Sequence, residues 1–291
     1  LLSIVIAYCI SKYGLKDIAR LNTQIIKMSE GHLEQIDIGK SVKEVEDLTE
    51  SFNVLIDKMQ VLETSRQEFV SNVSHELKTP ITSMKVLADS LLLQEDIPAE
   101  LYREFMTDMV DEIDRETKII NDLLTLVKMD KKAAALNVEP VNINGLLELL
   151  LKRIKPIAAK RNIEVIFESF RDVVGEVDEV KLSLAFSNLI ENAIKYNNDG
   201  GTVHVSLNAD HKFFYVKVQD NGVGIPEDCQ SQVFERFYRV DKARSRETGG
   251  TGLGLAITRN AILMHKGAIK LYSKPMEGTT FTVRIPLKYV S

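Results

Sequence analysis

Apolar residues recur at intervals of three and four over most of residues 14–130, which is the spacing of one face of an α-helix. After a short first series, a connector containing Gly31 and Gly39 leads into a second series whose steps alternate as a heptad. A heptad seam favours parallel helices that pair between two chains. The seam consists of Val45, Leu48, Phe52, Leu55, Met59 and Leu62.

The second series continues through Phe69 and Val73 to a break at "QEDIPAE". Pro98 suits the first turn of another helix, which extends to about residue 130. Two long amphipathic helices joined by a short turn cannot bury both of their apolar faces alone. The pattern therefore predicts a helical hairpin that forms a four-helix bundle with a second copy of the chain.

The hydrophobic pattern changes after "KKAAALNVEPVN". It predicts a helix over 142–160, a strand at "IEVIF", a helix with Asp178 as its N-cap, and alternating strands at "TVHVSL" and "FFYVKV". A final hairpin covers "AIKLYSKPMEGTTFTVRIPL". Mixed elements of this kind predict an α/β sandwich with helices on one face of a single sheet, and thus an α+β chain with a helical first part.

Composition narrows the class of partner and the compartment. The chain has 291 residues, a formal net charge of −5 and a pI near 5.7. We expect two or three domains and no nucleic-acid partner, because nucleic-acid-binding surfaces are normally basic. The two cysteines, Cys9 and Cys229, have neither a disulfide framework nor a metal-ligand spacing, which indicates a reducing, cytosolic compartment.

The first ten residues, "LLSIVIAYCI", are mostly apolar, and the sequence turns polar at Ser11 and Lys12. Ten residues are too few to cross a bilayer, which takes about 20. We expect residues 1–13 to be the cytoplasmic end of a transmembrane helix, with residues 14–291 in the cytoplasm. The alternative is the end of a buried helix.

Residues 71–82, "SNVSHELKTPIT", place a histidine, a carboxylate and a threonine in one predicted helix. His75 and Thr79 are four residues apart and share a helix face, and Glu76 lies beside the histidine. Pro80 should kink the helix near Glu76, because its ring crowds the carbonyl group four residues earlier. An isolated histidine of this kind is more often a surface residue, so its function depends on the rest of the chain.

Three further polar clusters lie in the C-terminal part. In the first, Asn188 and Asn192 share one face of a helix, with Lys195 and Tyr196 just beyond. Two neutral amides can hold a hydrated Mg²⁺ ion and contact phosphates, while the lysine adds positive charge and the tyrosine can stack on a base. Two asparagines on a helix are also often purely structural.

The second cluster, "QDNGVGIP", places Asp220, Gly222 and Gly224 directly after a predicted strand. Asp220 is suited to accept a hydrogen bond from an exocyclic amine such as that of adenine. The glycines let the backbone approach a ligand closely. The same residues also fit an ordinary Asn-Gly turn.

The third cluster is a glycine-rich turn that leads into a helix, with glycines at 249, 250, 252 and 254. Backbone N–H groups and the helix dipole at such a turn favour a phosphate group. The turn lacks the Lys-Ser/Thr of a Walker A loop, and no strand precedes it, which argues against a dinucleotide-binding fold. The polar stretch "DKARSRETG" before it is typical of a mobile lid over a nucleotide.

Taken in order, these clusters resemble the sequence boxes of the sensor histidine kinases over about residues 65–290. "SHELKTP" is similar to their H box, and "NLIENAIKY", "DNGVG", "FERFYR" and "GTGLGL" are similar to their N, G1, F and G2 boxes. The resemblance implies a dimerisation and phosphotransfer hairpin at 65–132. It also implies an ATP-binding domain of the Bergerat (GHKL) type at 133–291.

The resemblance also implies roles for individual residues. His75 would accept the phosphoryl group, Glu76 would be its acid/base partner, and Thr79 would position the water that dephosphorylates the partner protein. The implied contacts with Mg·ATP are Asn188 and Asn192 to Mg²⁺ and phosphates, Tyr196 to the adenine face, Asp220 to the adenine amine and Arg239 to the γ-phosphate. The other implied ATP-binding residues are Lys195, Gly222, Gly224, Gly250, Thr251, Gly252, Leu253 and Gly254.

The two short helical series before the H box resemble a HAMP module, a signal-relaying coiled coil that follows a membrane helix, at 14–64. Glu44, Phe52 and Asn53 match its second helix, although the seam alone also fits an ordinary helical hairpin. Two positions depart from these families. Gly14 stands where HAMP modules usually have proline, and Asn197 stands where the kinases commonly have Ser or Thr.

Other enzyme classes fit the sequence less well. A zinc hydrolase with His-Glu-x-x-His needs a histidine where Thr79 stands. ATP-hydrolysing relatives with the same nucleotide fold carry a glutamate where this chain has Asn188, and an amide cannot take a proton from water. An inactive dimeric scaffold is a further alternative.

We therefore predict a membrane-anchored, homodimeric kinase that phosphorylates His75 from Mg·ATP and passes the phosphoryl group to an aspartate of a response regulator receiver domain. We predict that the kinase also removes the phosphoryl group from that aspartate.

Overall fold

The computed structural model describes residues 16–28, 33–37, 39, 41–93, 98–130, 136–241 and 250–289. The predicted membrane segment, the turn at 94–97 and most of the predicted lid lie outside these residues. The chain divides into two compact units, Leu1–Glu76 and Leu77–Ser291, and the domain limits inferred from the sequence stay predictions. Within the described part of the chain, no helix has the length and apolar character needed to cross a membrane.

The first unit contains α1 (16–28) and the N-terminal part of α2 (Lys43–Leu92). Leu21, Ile36 and Ile56 form a small apolar core between them. Asn53 fixes the connector, because its side-chain amide accepts the Ile36 N–H at 2.8 Å and donates to the Ile36 carbonyl at 3.0 Å. Phe52 packs against the same core, so two of the residues that suggested a HAMP module hold this unit together.

The second unit begins with the rest of α2, followed by α3 (Ala99–Asp130). Helix α2 continues through Pro80, which is buried. The later elements are β1 (Glu139–Asn142), α4 (Ile143–Ala159), β2 (Glu164–Ser169), β3 (Val174–Val177), α5 (Glu179–Lys195), β4 (Thr202–Ala209), β5 (Phe213–Asp220), a 3₁₀ turn (Glu227–Cys229), α6 (Gly254–Met264), β6 (Ala268–Lys274) and β7 (Gly278–Pro286).

These elements form the predicted α/β sandwich, and the α+β fold class is confirmed. The five-stranded sheet has the order β2-β4-β5-β7-β6, in which β2 and β4 are parallel and the other pairs are antiparallel. Burial alternates along β4 and β5, because one face of the sheet packs against the helices. Phe186 and Leu189 of α5 and Phe214 and Val216 of β5 are fully buried in this core.

A second, two-stranded sheet pairs β1 with β3, and the sequence did not predict it. Each of its strands has only four residues, which is too short for an alternating pattern to stand out.

A buried histidine connects the end of α6 to the start of α5. His265 is 1% exposed, and its Nε2 accepts the backbone N–H of Asp178 at 2.9 Å. Its Nδ1 lies 2.7 Å from the Ala261 carbonyl, so the neutral ring with the proton on Nδ1 satisfies both contacts. Asp178 in turn caps α5, as predicted, by accepting the Lys181 N–H at 3.0 Å.

Burial lowers the pKa of His265, while the charges of Asp178 and Lys181 act on it in opposite directions. A folded-state pKa below the ordinary value of about 6.5 contributes stability that is present above that pH and is lost as the pH falls below it. We expect the free energy of unfolding in urea to fall between about pH 7.5 and about pH 5.5 more steeply in the wild type than in a His265→Gln variant. A His211→Gln variant, changed at an exposed histidine, should keep the wild-type slope. Equal slopes for wild type and His265→Gln would contradict the prediction.

Candidate nucleotide-binding site

The C-terminal half of α5 brings the predicted amide pair to the glycine-rich turn. The side-chain Nδ2 of Asn188 donates to the Gly254 carbonyl at 3.1 Å. Because this nitrogen is engaged, the amide oxygen of Asn188 is the atom left for a cation, and Mg²⁺ prefers oxygen ligands. Asn192 lies one turn further along α5 and is half-buried. These residues therefore fit the predicted Mg²⁺ site.

The glycine-rich turn packs against two other motifs before α6 begins. Gly252 has a φ of +71°, and a Cβ atom there would lie 2.9 Å from the backbone of Phe237, whose N–H donates to the Gly252 carbonyl at 2.9 Å. A Cβ atom at Gly250 would displace the ammonium group of Lys195. Gly252 is thus needed for the turn to fit against the "FERFYR" segment, and Gly250 leaves room for the lysine.

The turn after β5 joins the other side of the site. Asp220 is 8% exposed, and its Oδ1 accepts the N–H groups of Gly222 at 2.9 Å and Thr279 at 3.1 Å. The Val223 N–H donates to the Tyr196 carbonyl at 3.1 Å, so the turn is fastened to the end of α5. The three polar clusters of the C-terminal part therefore meet in one place.

The glycines of this turn have a role that the sequence analysis did not foresee. We expected them to let a ligand approach the backbone. A Cβ atom at Gly222 would instead collide with the Tyr196 carbonyl, and one at Gly224, where φ is +69°, would collide with the Lys274 carbonyl. These glycines let protein segments approach each other.

Two ionisable groups in the site have displaced pKa values. Burial raises the pKa of Asp220 to about 6, against the opposing effect of its two backbone hydrogen bonds. Burial lowers the pKa of Lys195 to about 8, and the positive charges of Lys118, Arg239 and Arg115 lower it further, while Glu191 opposes them. Lys195 and the three other cationic groups that affect its pKa favour binding of a polyanion.

Helix α3 contacts the site directly, which the sequence analysis missed. The Thr251 hydroxyl donates to the Asp122 carboxylate at 2.9 Å, and Lys118 lies 3.9 Å from Glu191. Burial raises the pKa of Asp122, partly offset by its hydrogen bond to Thr251 and by Lys118. The only sequence signal for this contact was the polar face of α3, which is also what a solvated helix face would show.

The other predicted residues lie as follows. Leu253 is buried directly before α6, and Arg239 is half-buried and close enough to Lys195 to affect its pKa. On α2, His75 and Thr79 are exposed and Glu76 is half-buried. The functional roles assigned to all of these residues stay predictions.

Comparisons with known proteins match both parts of the chain. The family model "Histidine kinase-, DNA gyrase B-, and HSP90-like ATPase" matches residues 177–289, and the "His Kinase A (phospho-acceptor) domain" model matches residues 65–132. The sensor-like histidine kinase SenX3 of Mycolicibacterium smegmatis is 40% identical over 225 residues, which cover 77% of this chain and 58% of that protein. The sensor histidine kinase WalK of Bacillus subtilis is 34% identical over 274 residues, which cover 93% of this chain and 43% of WalK.

The chain thus spans about half the length of the curated relatives it matches. Among solved structures, histidine kinase ThkA in complex with response regulator protein TrrA has a TM-score of 0.65 to this chain and 23% identity. The match covers 87% of this chain and 68% of ThkA. At that identity the likeness establishes the fold.

Asp220 offers a test that separates stability from binding. Its folded-state pKa lies above the ordinary value of 3.8, so the buried charge destabilises the fold as the pH rises through about 6. Asp220→Asn retains an oxygen for both backbone N–H groups, and we expect it to raise the free energy of unfolding at about pH 7.5 by about 1–3 kcal/mol. We expect the same variant to bind ADP at least about tenfold more weakly, because an amide N–H meets the adenine amine as donor against donor.

Urea unfolding and titration calorimetry with ADP measure the two effects. Asp172→Asn, at an exposed position, should change neither. A variant that loses stability at this pH while binding ADP normally would refute both expectations.

Proposed function

This chain belongs to the sensor histidine kinases, and we propose that it transfers the γ-phosphate of Mg·ATP to His75 and then to an aspartate of a response regulator receiver domain. The observation that carries the proposal is the meeting of Asn188, Tyr196 and Asp220 with the glycine-rich turn in one site. The family membership of residues 65–132, which contain His75, supports the choice of acceptor.

The proposed mechanism uses the residues for positioning and charge, since phosphoryl transfer asks little covalent work of a protein. Mg·ATP supplies the phosphoryl group. A neutral imidazole of His75 offers a ring lone pair as nucleophile, and Glu76 accepts the other ring N–H and stabilises the ring as it becomes cationic. Lys195 and Arg239 balance the charge of the phosphates. Asn188 cannot act as a general base toward water, which favours transfer over hydrolysis.

We also propose that the chain dephosphorylates its response regulator. Thr79 is exposed one helical turn after His75. A hydroxyl group at this position can hold a water molecule next to the phosphoryl site, so the same helix face serves both reactions.

The active form that we propose is a homodimer. One face of α3 is an apolar heptad seam, and its apolar members are 39–53% exposed in the single chain. A contiguous exposed apolar surface of this kind marks an interaction site, and the heptad spacing suits another helix. The seam consists of Met106, Val110, Ile113, Thr117, Ile120, Leu124 and Val127.

We propose that residues 1–13 attach the dimer to the cell membrane and that residues 14–291 lie in the cytoplasm. The first ten residues are mostly apolar, and the coiled-coil seam of α2 leaves Leu48, Leu55, Met59 and Leu62 exposed for a second copy. A signal would then pass as helix motion from the membrane and shift the population between packings of the ATP-binding part.

Incubation with Mg²⁺ and γ-labelled ATP tests the reaction. We expect acid-labile, base-stable label on the wild type and at least about a hundredfold less on His75→Gln, because the substitution removes the proposed nucleophilic ring nitrogen. His211→Gln, which changes an exposed histidine elsewhere, should label normally. Steady release of free phosphate, equal in wild type and His75→Gln and without label, would favour the ATPase alternative. Bound ADP with neither label nor phosphate release would favour the scaffold.

Charge introduced into the α3 seam tests the dimer. Ile113→Glu places a carboxylate at the proposed apolar interface, where an unpaired charge is strongly unfavourable. We expect this variant to sediment as a monomer at concentrations where the wild type is a dimer. Thr107→Glu, an exposed position off the seam, should leave the dimer intact. Dimers in both variants would show that this face is not the interface.

A further inference from the structure

Arg161, in the loop between α4 and β2, grips the end of α5 on which the proposed nucleotide site is built. We propose that Arg161 is a positioning residue for the adenine nucleotide, which it acts on through Tyr196 and the turn after β5. This inference rests on the proposed function. It assigns a role to a residue that belongs to none of the sequence boxes.

The guanidinium group makes five short contacts with one stretch of chain. Its nitrogens lie 2.7–2.9 Å from the carbonyl oxygens of Ile194, Lys195 and Asn197. Two more contacts, of 2.9 and 2.8 Å, go to the Asp199 carboxylate. Five N–H donors in a rigid plane suit this fixed set of acceptors, whereas a lysine ammonium group would meet them only in part.

One carbonyl group that Arg161 does not contact connects the end of α5 to the rest of the proposed nucleotide site. Of the four consecutive carbonyls at 194–197, three accept from Arg161, and the remaining one, that of Tyr196, accepts the Val223 N–H at 3.1 Å. Tyr196 is therefore held from both sides. Any shift of its peptide group moves the turn that carries Asp220 and Gly222.

The backbone around Arg161 anchors this grip to the sheet. The Arg161 carbonyl accepts the Gly200 N–H at 3.1 Å, and the Glu164 N–H at the start of β2 donates to the Gly201 carbonyl at 3.0 Å. The loop after α4 and the loop after α5 are thus tied together by main chain as well as side chain. These bonds fix the backbone of Arg161 relative to the residues that its side chain contacts.

The exposure of Arg161 indicates that its main effect is on geometry. Its side chain is 33% exposed, so water can reach the carbonyls when the arginine is removed and can satisfy their hydrogen bonds. Water does not hold three carbonyls in one arrangement, however. We therefore expect substitution to loosen the adenine end of the site and to leave the phosphate end, at Asn188 and the glycine-rich turn, unchanged.

The test compares Arg161→Gln with the wild type in three measurements. We expect the dissociation constant for ADP to rise about tenfold, as loss of positioned hydrogen bonds to a charged group would give. We expect the ATP concentration that half-saturates His75 labelling to rise in parallel, with the maximal rate within about twofold of the wild type. Hydrogen exchange at the Val223 amide should speed up, while exchange at Val216 in the middle of β5 stays slow.

Three control variants sharpen the comparison. Arg153→Gln, at an exposed arginine of α4, should behave as the wild type in all three measurements. Arg161→Lys keeps the charge but not the fork, and it should give an intermediate ADP affinity. Asp199→Ala removes the exposed partner while leaving the three carbonyl contacts, so it should have the smallest effect. If Arg161→Gln does not fold, the latter two variants decide the question.

Outcomes that overturn the inference differ from those that overturn the proposed function. Normal ADP affinity in Arg161→Gln would overturn the positioning role, as would a lower maximal rate with unchanged half-saturation and faster exchange at both Val223 and Val216. That second pattern would show a purely structural residue. Failure of the wild type itself to bind ADP would overturn the proposed function, and the nucleotide role of Arg161 with it.

Discussion

The candidate site depends on how one helix ends. The last turn of any α-helix leaves carbonyl groups without helical partners. At the end of α5, the Arg161 guanidinium group and the Val223 N–H donate hydrogen bonds to carbonyl groups of this kind. Because the Tyr196 carbonyl pairs with the turn after β5, helix and sheet meet at one peptide group. Gly222 is required there, since any side chain would collide with that carbonyl. The two faces proposed for adenine, the Tyr196 ring and the Asp220 carboxylate, follow from this single junction.

Two ionisable groups of the candidate site are buried at a cost to the stability of the fold. Burial raises the pKa of Asp220 and lowers that of Lys195, so the charged form of each group is disfavoured where it stands. In the function proposed above, a bound adenine nucleotide would relieve both, because its amine would donate to the carboxylate and its phosphates would offset the clustered positive charge. Displaced pKa values of opposite sense within one site are characteristic of sites arranged for a ligand.

The sequence predicted the features that depend on local pattern. Helical periodicity marked α2 and α3, alternation marked β4 and β5, and Asp178 was recognised as a cap because the residue type and its position are both local signals. The residue types of the nucleotide motifs identified the family. Arg161 and Asp122 were not predicted, because their partners lie 33–38 and 129 residues away and each is a single polar residue on an otherwise ordinary surface. The reason for Gly224 was also missed, because its neighbour Lys274 comes from a distant hairpin.

Helix α3 contributes to the proposed dimer interface with one face and to the candidate nucleotide site with the opposite face. One face carries the exposed apolar seam around Ile113 and Ile120, and the opposite face holds Asp122 against Thr251. A helix transmits rotation or translation as a nearly rigid body, so a change in packing along the seam displaces Asp122 relative to the glycine-rich turn. The Asp122–Thr251 bond has an acceptor with a raised pKa, which means that the carboxylate is partly desolvated and gains solvation when the contact opens. Opening this contact would lose the hydrogen bond and return the carboxylate to water. A displacement at the proposed dimer seam would in this way shift the population between the closed and the open contact.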